Sequence, residues 1–203
     1  KKRLKIILKF LAKKTIIKYQ PGIIGVTGSV GKTSTKEAIY TVLRNFRQVR
    51  ASAKNFNNEL GLPLTILGDW PNVTSRLFWL KVIIISFFRL FFGKKSNYPE
   101  MLVLEYGADR PGDLDYLLDI ARPQIAVITA IGDVPAHIEY YSGSEAVAQE
   151  KGKIVKALPS AGFAVLNFDD QAVLDIKESI GAPVFTFGFG EGAQMRITNF
   201  ENR

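Results

Sequence analysis

The stretch from residue 22 to residue 37, GIIGVTGSVGKTSTKE, constrains the fold more than any other part of the sequence. Its apolar residues Ile23, Ile24 and Val26 indicate a buried strand, which leads into a glycine-rich turn and then a helical pattern. In such a strand–turn–helix unit the glycines let the backbone approach an anion, while amide N–H groups and the helix dipole face it. The sequence therefore predicts a loop that binds a nucleotide phosphate.

The loop is shorter than a strict Walker A motif, because Val26 stands where the first glycine would be. Lys32 is expected to place a positive charge against the phosphates, and the Thr33 hydroxyl to bind a Mg²⁺ ion carried by the nucleotide. The alternative, a glycine-rich turn with a surface lysine, fits the flanking strand and helix less well. The residues predicted to bind the nucleotide are Thr27, Gly28, Ser29, Val30, Gly31, Lys32, Thr33 and Ser34.

Strands and helices alternate along the remainder of the chain. Strands are predicted at 49–52, 101–104, 125–131, 163–166 and 184–187, and helices at 111–121, 144–158 and 171–180. The helix after the loop is expected to bury a face made of Ala38, Ile39, Val42, Leu43 and Phe46. This alternation predicts a doubly wound α/β fold with a mostly parallel sheet. We expect residues 22–203 to form an incomplete P-loop domain, truncated at both ends.

The net charge of +8 belongs to the N-terminal segment. Residues 1–20 contain eight of the 27 Lys and Arg residues and no acidic residue, and the rest of the chain has 19 of each sign. Nucleic-acid binding is therefore not expected. Residues 1–21 are interpreted as a basic amphipathic helix or linker. Residues 1–19 either lie on an anionic membrane surface or form the solvated end of an upstream segment, and the sequence leaves both interpretations open.

A second unusual segment, residues 77–92, is apolar on nearly all sides but contains Lys81 and Arg89. It is short for a membrane-spanning helix, which needs about 20 apolar residues. A helix in a membrane interface or against a partner fits it best, and a buried core helix is the alternative. The segment forms part of an apolar insertion at about 77–95. The sequence has no cysteine and no readable signal peptide, so we expect a cytoplasmic protein. The sequence leaves open whether it lies at the inner face of the cytoplasmic membrane, as it does for residues 1–19.

Polar side chains follow several predicted strands, and ligands of parallel sheets bind at the carboxyl ends of strands. Glu105 stands where a Walker B acid would, and its oxygens suit Mg²⁺; the alternative is a capping carboxylate. His137, the single histidine, is a candidate metal or phosphate ligand, although lone histidines are often structural. Asn55, Asn57 and Asn58 suit either turn chemistry or hydrogen bonds to a polar ligand.

Lys151 lies on the apolar face of the helix predicted at 144–158, in line with Val147 and Ile154. Burial of a lysine lowers its pKa and favours the neutral amine. A neutral amine near an open rim can react with CO₂ to form a carbamate, which is an anionic metal ligand. The alternative is a lysine whose ammonium group reaches out to solvent.

Six motifs, in order, resemble those of the Mur ligases, the family that builds the stem peptide of peptidoglycan. They are GVTGSVGKTS at 25–34, KNFNNELGLP at 54–63, LEYGA at 104–108, AHIE at 136–139, EKGKI at 150–154 and LNFDD at 166–170. The second motif is similar to that of the branch of the family that adds D-alanyl-D-alanine. The resemblance covers roughly residues 22–190 and implies that the chain contains the central ATP-binding domain.

The resemblance implies a function: ATP phosphorylates the terminal carboxylate of a UDP-MurNAc-peptide, and the amine of D-Ala-D-Ala attacks the acyl phosphate. It implies that Lys32, His137 and Lys151 are catalytic. Thr33, Glu105 and His137 would bind Mg²⁺, and Lys151, as a carbamate, would support a second Mg²⁺. Catalysis would then consist mainly of positioning and charge neutralisation.

The resemblance also places Asn55, Asn57 and Asn58 near the nucleotide-sugar substrate. The sequence departs from the family at Ala130, where asparagine is common, and in the loop before His137, which is two residues longer. Because the family's other domains are absent, this chain alone is expected to bind ATP weakly and not to ligate. Two alternatives remain: a related ligase of the folylpolyglutamate or cyanophycin type, or a membrane-associated P-loop switch without ligase activity.

Overall fold

The computed structural model describes residues 2–52, 56–70 and 75–199. Within these ranges seven parallel strands form one sheet with the order β2-β3-β1-β4-β5-β6-β7. The strands are β1 (Gly22–Thr27), β2 (Val49–Ala51), β3 (Met101–Glu105), β4 (Ile125–Ile128), β5 (Phe163–Asn167), β6 (Val184–Gly188) and β7 (Met195–Arg196). The predicted α/β class and parallel sheet are confirmed.

Helices cover the two faces of the sheet unequally. The helices are α1 (Lys2–Tyr19), α2 (Lys32–Leu43), α3 (Gly61–Leu67), α4 (Arg76–Phe92), α5 (Asp113–Ile120), α6 (Ser144–Lys156) and α7 (Gln171–Leu174). Ile24 and Val26 of β1 face α2, whereas Ile23 belongs to the larger core, which also includes residues of α1, α3, α5 and α6. β1 is an interior strand between β3 and β4, so the loop that follows it opens between the carboxyl ends of these two neighbours.

Strand β4 is shorter than predicted, and this difference shapes the site. It ends at Ile128 rather than at residue 131, because the next residues turn towards the loop after β1. Thr129 Oγ1 donates to Val30 O at 2.6 Å, and Ala130 O accepts from Ser29 N at 2.6 Å. The end of β4 therefore supports the loop instead of extending the sheet.

Helix α2 does not bury the apolar face that its sequence predicts. Only Ile39 and Leu43 pack against the sheet. Ala38 is exposed, Val42 is 59% exposed, and Phe46, beyond the end of the helix, is 77% exposed. This prediction is wrong because helical spacing groups residues on one face, but only a neighbouring element can cover that face.

Helix α1 packs against the body of the domain. Leu8 and Leu11 lie in a cluster with Val82 of α4, and the ring of Tyr19 stacks on that of Tyr98 with centroids 4.4 Å apart. The proposed division of the chain at residue 21 stays a prediction, but α1 shares buried surface with the elements that follow.

Helix α4 buries one narrow face and exposes the opposite one. Val82 and Ser86 are buried, so a fully buried core helix, the alternative considered for residues 77–92, is wrong. The exposed face is made of large apolar side chains: Leu77, Leu80, Ile84, Phe87, Phe88, Phe91 and Phe92. Among the described residues, no helix is both long and apolar enough to cross a membrane.

Candidate active site

The loop between β1 and α2 depends on two glycines. Gly31 has a φ of 82° and Gly28 a φ of 147°, values that side chains disfavour. A Cβ on Gly28 would also collide with Thr129 Oγ1, because the backbone passes directly over the end of β4. On the other side, Thr27 Oγ1 donates to Tyr106 O at 2.9 Å, which ties the loop to the end of β3. The loop is thus fixed between two neighbouring strands.

Several polar groups of this loop suit a phosphate. Ser29 Oγ is buried and has no hydrogen-bond partner among the described residues. Helix α2 begins after Gly31 without a side-chain acceptor at its first N–H groups, which are the groups that bind anions at helix N-termini. Lys32 Nζ donates to Gly28 O at 2.9 Å and Ser29 O at 3.1 Å, so the lysine folds back along the loop. These residues fit a nucleotide triphosphate.

Glu105 lies at the centre of the polar cluster at the end of β3 and is 2% exposed. Its Oε2 accepts from Thr33 Oγ1 at 3.0 Å, and its Oε1 accepts from Asn57 Nδ2 at 3.0 Å. A hydroxyl and a carboxylate in contact are hard oxygen ligands of the kind that Mg²⁺ takes. The donor set therefore fits the metal that was predicted here.

A residue that the sequence reasoning missed, Lys36, lies beside this carboxylate. It is fully buried, donates from Nζ to Ser52 O at 2.7 Å, and is 3.9 Å from Glu105 Oε2. A signal was present, since Lys36 follows Lys32 by four residues and so shares its side of α2. Its positive charge helps to offset the desolvation of the Glu105 carboxylate.

Lys151 of α6 is buried at 2% exposure, which confirms that it shares the core side of its helix. Its pKa is lowered from 10.5 to about 8, mainly by burial and also by the positive charge of Lys32, while Asp109 and Glu150 partly oppose the change. Among the described residues, no hydrogen bond or ion pair involves its Nζ. The pKa of Lys32 is also lowered, mainly by desolvation, and Glu105 and Asp109 oppose that shift. Lys32, Glu105 and Lys151 thus belong to one electrostatic cluster.

His137 reaches this cluster through Asp109, a second residue that the sequence reasoning missed. Its Nε2 lies 3.3 Å from Asp109 Oδ1, and both side chains are partly exposed. His137 has a φ of 67°, an unusual value for a residue other than glycine. Among the described residues, no group of three or more His, Cys, Asp or Glu side chains could hold a metal ion. The role of His137 as a metal ligand stays a prediction.

The asparagines divide between the two roles considered for them. Asn57 contacts Glu105 with its side chain, and its backbone O accepts from Gly107 N at 2.8 Å. Asn58 Oδ1 accepts from Leu60 N at 3.1 Å and Gly61 N at 3.0 Å, so it serves the turn that starts α3. Asn55 lies outside the described residues.

A groove of about 590 Å³ opens beside these asparagines. It is lined by polar and charged residues from four parts of the chain: Lys5, Asn57, Asn58, Glu59, Gly107, Asp109, Arg110, Pro111, Gly112, Asp113, Tyr116 and Leu117. Because Asp109 also contacts His137, the groove adjoins the cluster around Glu105 and Lys151. A polar substrate in this groove would lie next to the phosphate loop.

Two carboxylates near this edge, those of Asp170 and Glu150, have structural roles. Asp170 Oδ2 accepts from Ile131 N at 2.7 Å and Gly132 N at 2.8 Å, and so fixes the segment after β4. Glu150 Oε1 accepts from Gly112 N and Leu114 N, both at 3.0 Å, at the start of α5. The polar residues after β5 therefore support the edge of the sheet, and the ligand-facing groups come from the other strands.

In this parallel sheet the interior strand β1 leads through the glycine loop into a helix that starts with lysine and threonine. This arrangement defines a P-loop α/β domain. Comparison with known proteins specifies the family. The family described as "Mur ligase middle domain" matches residues 26–72 and 85–203. The chain therefore belongs to the Mur ligase family, in which it corresponds to the middle domain.

Individual relatives agree with this assignment. UDP-N-acetylmuramoyl-tripeptide–D-alanyl-D-alanine ligase of Mycobacterium leprae is 33% identical over 168 residues, which are 83% of this chain and 27% of the relative. The crystal structure of MurF ligase from Thermotoga maritima in complex with ADP has a TM-score of 0.71 and 33% identity, covering 93% of this chain and 37% of that one. MurF from Acinetobacter baumannii has a TM-score of 0.75 and 25% identity, covering 97% and 37%.

These relatives confirm the resemblance to the D-alanyl-D-alanine-adding branch. The chain spans between 26% and 40% of the length of the curated relatives it matches. Residues 1–25 and 73–84 lie outside the family match. They include all of α1 and the first half of α4.

Proposed function

We propose that this chain is the ATP-binding domain of an ATP-dependent amide ligase that joins D-Ala-D-Ala to a UDP-MurNAc-peptide. One observation carries the proposal: the phosphate loop, the Thr33–Glu105 pair and the buried amine of Lys151 meet at one edge of the sheet. The names of the relatives support the choice of substrates, and the ADP in the Thermotoga structure supports the choice of nucleotide.

In this proposal the loop and Lys32 bind the triphosphate. The amide groups at the start of α2 and the Ser29 hydroxyl would face the phosphate oxygens. Lys32 would exchange its two carbonyl contacts in the loop for phosphate oxygens. Thr33 and Glu105 would hold Mg²⁺, which when bound would neutralise negative charge as the phosphoryl group is transferred. Asn57 and Lys36 would keep the Glu105 carboxylate in position.

Lys151 would act as a carbamate. Its neutral amine would attack the carbon of CO₂, form an N–C bond and release one proton, which gives an anionic carbamate. Counted from the ammonium form, two protons are released and a cation becomes an anion. Since its pKa is about 8 instead of 10.5, a useful fraction of the amine is neutral near physiological pH. The carbamate oxygens would then support a second Mg²⁺, and the nearby ammonium group of Lys32 would stabilise the new negative charge.

His137 and the groove would serve the substrates. We propose that His137, held by Asp109, contributes a further metal ligand, and that the groove beside Asn57 and Asn58 takes the nucleotide-sugar peptide. Arg110 and Lys5 would attract its phosphates and carboxylates. We also propose a cytoplasmic location, because the reaction uses ATP and the sequence contains no cysteine.

A ligation assay with the complete protein tests the proposal. With UDP-MurNAc-tripeptide, D-Ala-D-Ala, ATP and Mg²⁺, mass spectrometry should detect the extended peptide, together with ADP and phosphate. Lys151→Ala should abolish turnover, and small carboxylic acids should restore part of it. Lys156→Ala, an exposed lysine on the same helix, is the matched control. Product from folate or cyanophycin-type acceptors alone would reassign the substrate, and nucleotide hydrolysis without any ligation would overturn the proposal.

A further inference from the structure

We infer that the outer surface of α1 and α4 binds the headgroup region of an anionic lipid bilayer, with both helices lying in the plane of the membrane. We name this surface the α1–α4 surface and define it by the exposed apolar residues of the two helices. It is separate from the phosphate loop and from the groove, so the inference does not depend on the ligase reaction.

The α4 part of this surface consists of large apolar side chains along the length of the helix, with exposed Lys81 among them. Its seven exposed side chains recur at spacings of three and four residues from Leu77 to Phe92, opposite buried Val82 and Ser86. Ile84 is 45% exposed and Phe92 is 78% exposed. Monomeric soluble proteins rarely expose continuous apolar patches larger than a few hundred Å². Exposed apolar side chains grouped in this way are typical of an interaction surface.

Helix α1 extends the same surface. Its exposed residues Ile6, Phe10 and Ile17 lie on one side of the helix, away from buried Leu8. The two helices pack against each other, and Lys18 Nζ donates to Leu90 O at 2.7 Å, so their C-terminal ends lie close together. Leu4 and Leu8 also share a cluster with residues of α4. The exposed apolar residues of α1 and α4 therefore lie on two helices that contact each other.

Charge identifies the occupant as an anionic surface. The sequence has no Asp or Glu in residues 1–36 or 70–99. The basic residues on the side of α1 that faces α5 are already paired, with Glu59 and Asp119. By contrast, the basic residues that border the α1–α4 surface are exposed and, within the described residues, form no ion pair: Arg3, Lys14, Arg76, Lys81, Lys94 and Lys95.

Apolar helices bordered by unpaired cations are typical of segments that lie in an anionic membrane interface. A second copy of this chain would instead bring the two sets of like charges together around the apolar contact, which opposes association. The family match omits α1 and residues 73–84, which carry part of this surface.

Sedimentation with vesicles tests the inference on the full chain. We expect binding to vesicles of equal parts phosphatidylcholine and phosphatidylglycerol, weaker binding in high salt, and little binding to phosphatidylcholine alone. Each basic residue near an anionic surface contributes roughly a fivefold change in binding. The double variant Lys14→Gln with Lys81→Gln should therefore bind roughly 25-fold more weakly. Lys177→Gln, on an exposed turn elsewhere, should bind like the unchanged chain.

The apolar part is tested with a matched pair of phenylalanines. Phe91→Ser should weaken vesicle binding by about tenfold or more, because it removes a ring that would be buried in the interface. Phe46→Ser, a similarly exposed ring on the other side of the sheet, should have no effect. Both sites are exposed, so circular dichroism should show unchanged folding.

Three results would overturn the inference. The first is the absence of binding to either vesicle, and the second is equal binding to neutral and anionic vesicles. The third is a lipid-free dimer, detected by light scattering, that Phe91→Ser dissociates; this would assign the surface to a second copy of the chain. Loss of ligase activity with intact vesicle binding would affect the proposed function alone.

Discussion

Replacing Lys151 by methionine is expected to stabilise the protein near neutral pH. The lysine is buried and its pKa falls from 10.5 to about 8, because desolvation disfavours the cation. At pH values below both pKa values the ammonium group is charged in the folded and in the unfolded chain. Only the folded chain buries that charge, so the desolvation free energy lowers the stability of the folded state. The pKa difference corresponds to roughly 3 kcal/mol of unfolding free energy at about 1.36 kcal/mol per unit. Methionine has a similar length and no charge to bury.

The pH dependence gives the sign of this effect. Between the folded pKa of about 8 and the unfolded value of 10.5, the unfolded chain binds more protons than the folded one. The stability contributed at this position therefore rises with pH across that window, and the penalty disappears above it. Lys151→Met should show no such rise, so the gain from the substitution should shrink as the pH increases.

Urea unfolding followed by circular dichroism measures the gain. The unchanged chain, Lys151→Met and the exposed control Lys156→Met should be compared near neutral pH and near pH 10, in buffers free of CO₂ so that no carbamate forms. The control should leave the unfolding free energy within about 0.5 kcal/mol of the unchanged chain. A less stable Lys151→Met variant at neutral pH, or a gain independent of pH, would refute the reasoning that a buried cation destabilises this site.

Three further substitutions test other parts of the site. Gly28→Ala should lower the unfolding free energy, measured in urea, by about 2–5 kcal/mol more than Gly143→Ala does. Both glycines have a φ near 150°, but only a Cβ on Gly28 would also collide with a neighbouring atom. Equal losses of unfolding free energy would contradict the close packing of the loop. Asp109→Asn should lower the pKa of Lys151 further, and an NMR titration that finds it raised would be inconsistent with the described cluster. Glu150→Ala should cost about 2–4 kcal/mol because buried N–H groups of α5 lose their acceptor; a loss under about 1 kcal/mol would contradict that role.

The positions of the site residues along the sheet were predictable from the sequence. Parallel strands deliver the residues that follow them to one edge, and this rule placed the phosphate loop and Glu105 correctly. Helical spacing likewise predicted the burial of Lys151, because its position in line with Val147 and Ile154 does not depend on distant parts of the chain.

The hydrogen-bond partners at that edge were not predictable. Asn57 contacts Glu105 whereas Asn58 caps the start of α3, although the two residues are neighbours of the same type. The difference depends on how the loop folds over the end of β3. Asp109 was missed for a similar reason: it follows β3 by four residues, and only the loop conformation brings it to His137.

The degree of exposure of the helices was also beyond the sequence pattern. The apolar face of α2 was expected to be buried, yet Val42 is exposed. For α4 the sequence favoured a helix against a membrane or a partner, and Phe91 is exposed. A periodic pattern shows which side chains share a face, but coverage of that face depends on long-range packing or on a partner. An apolar helix face that stays exposed in the structure therefore indicates a binding surface.

Glu105 and the phosphate loop should form one site for ATP and Mg²⁺. Isothermal titration calorimetry of ATP with and without Mg²⁺, on the unchanged chain and on Glu105→Gln, tests this. We expect Mg²⁺ to strengthen ATP binding by the unchanged chain, and Glu105→Gln to lose that enhancement while retaining metal-free binding through Lys32. The same Mg²⁺ enhancement in both proteins, or no ATP binding in either, would contradict the account.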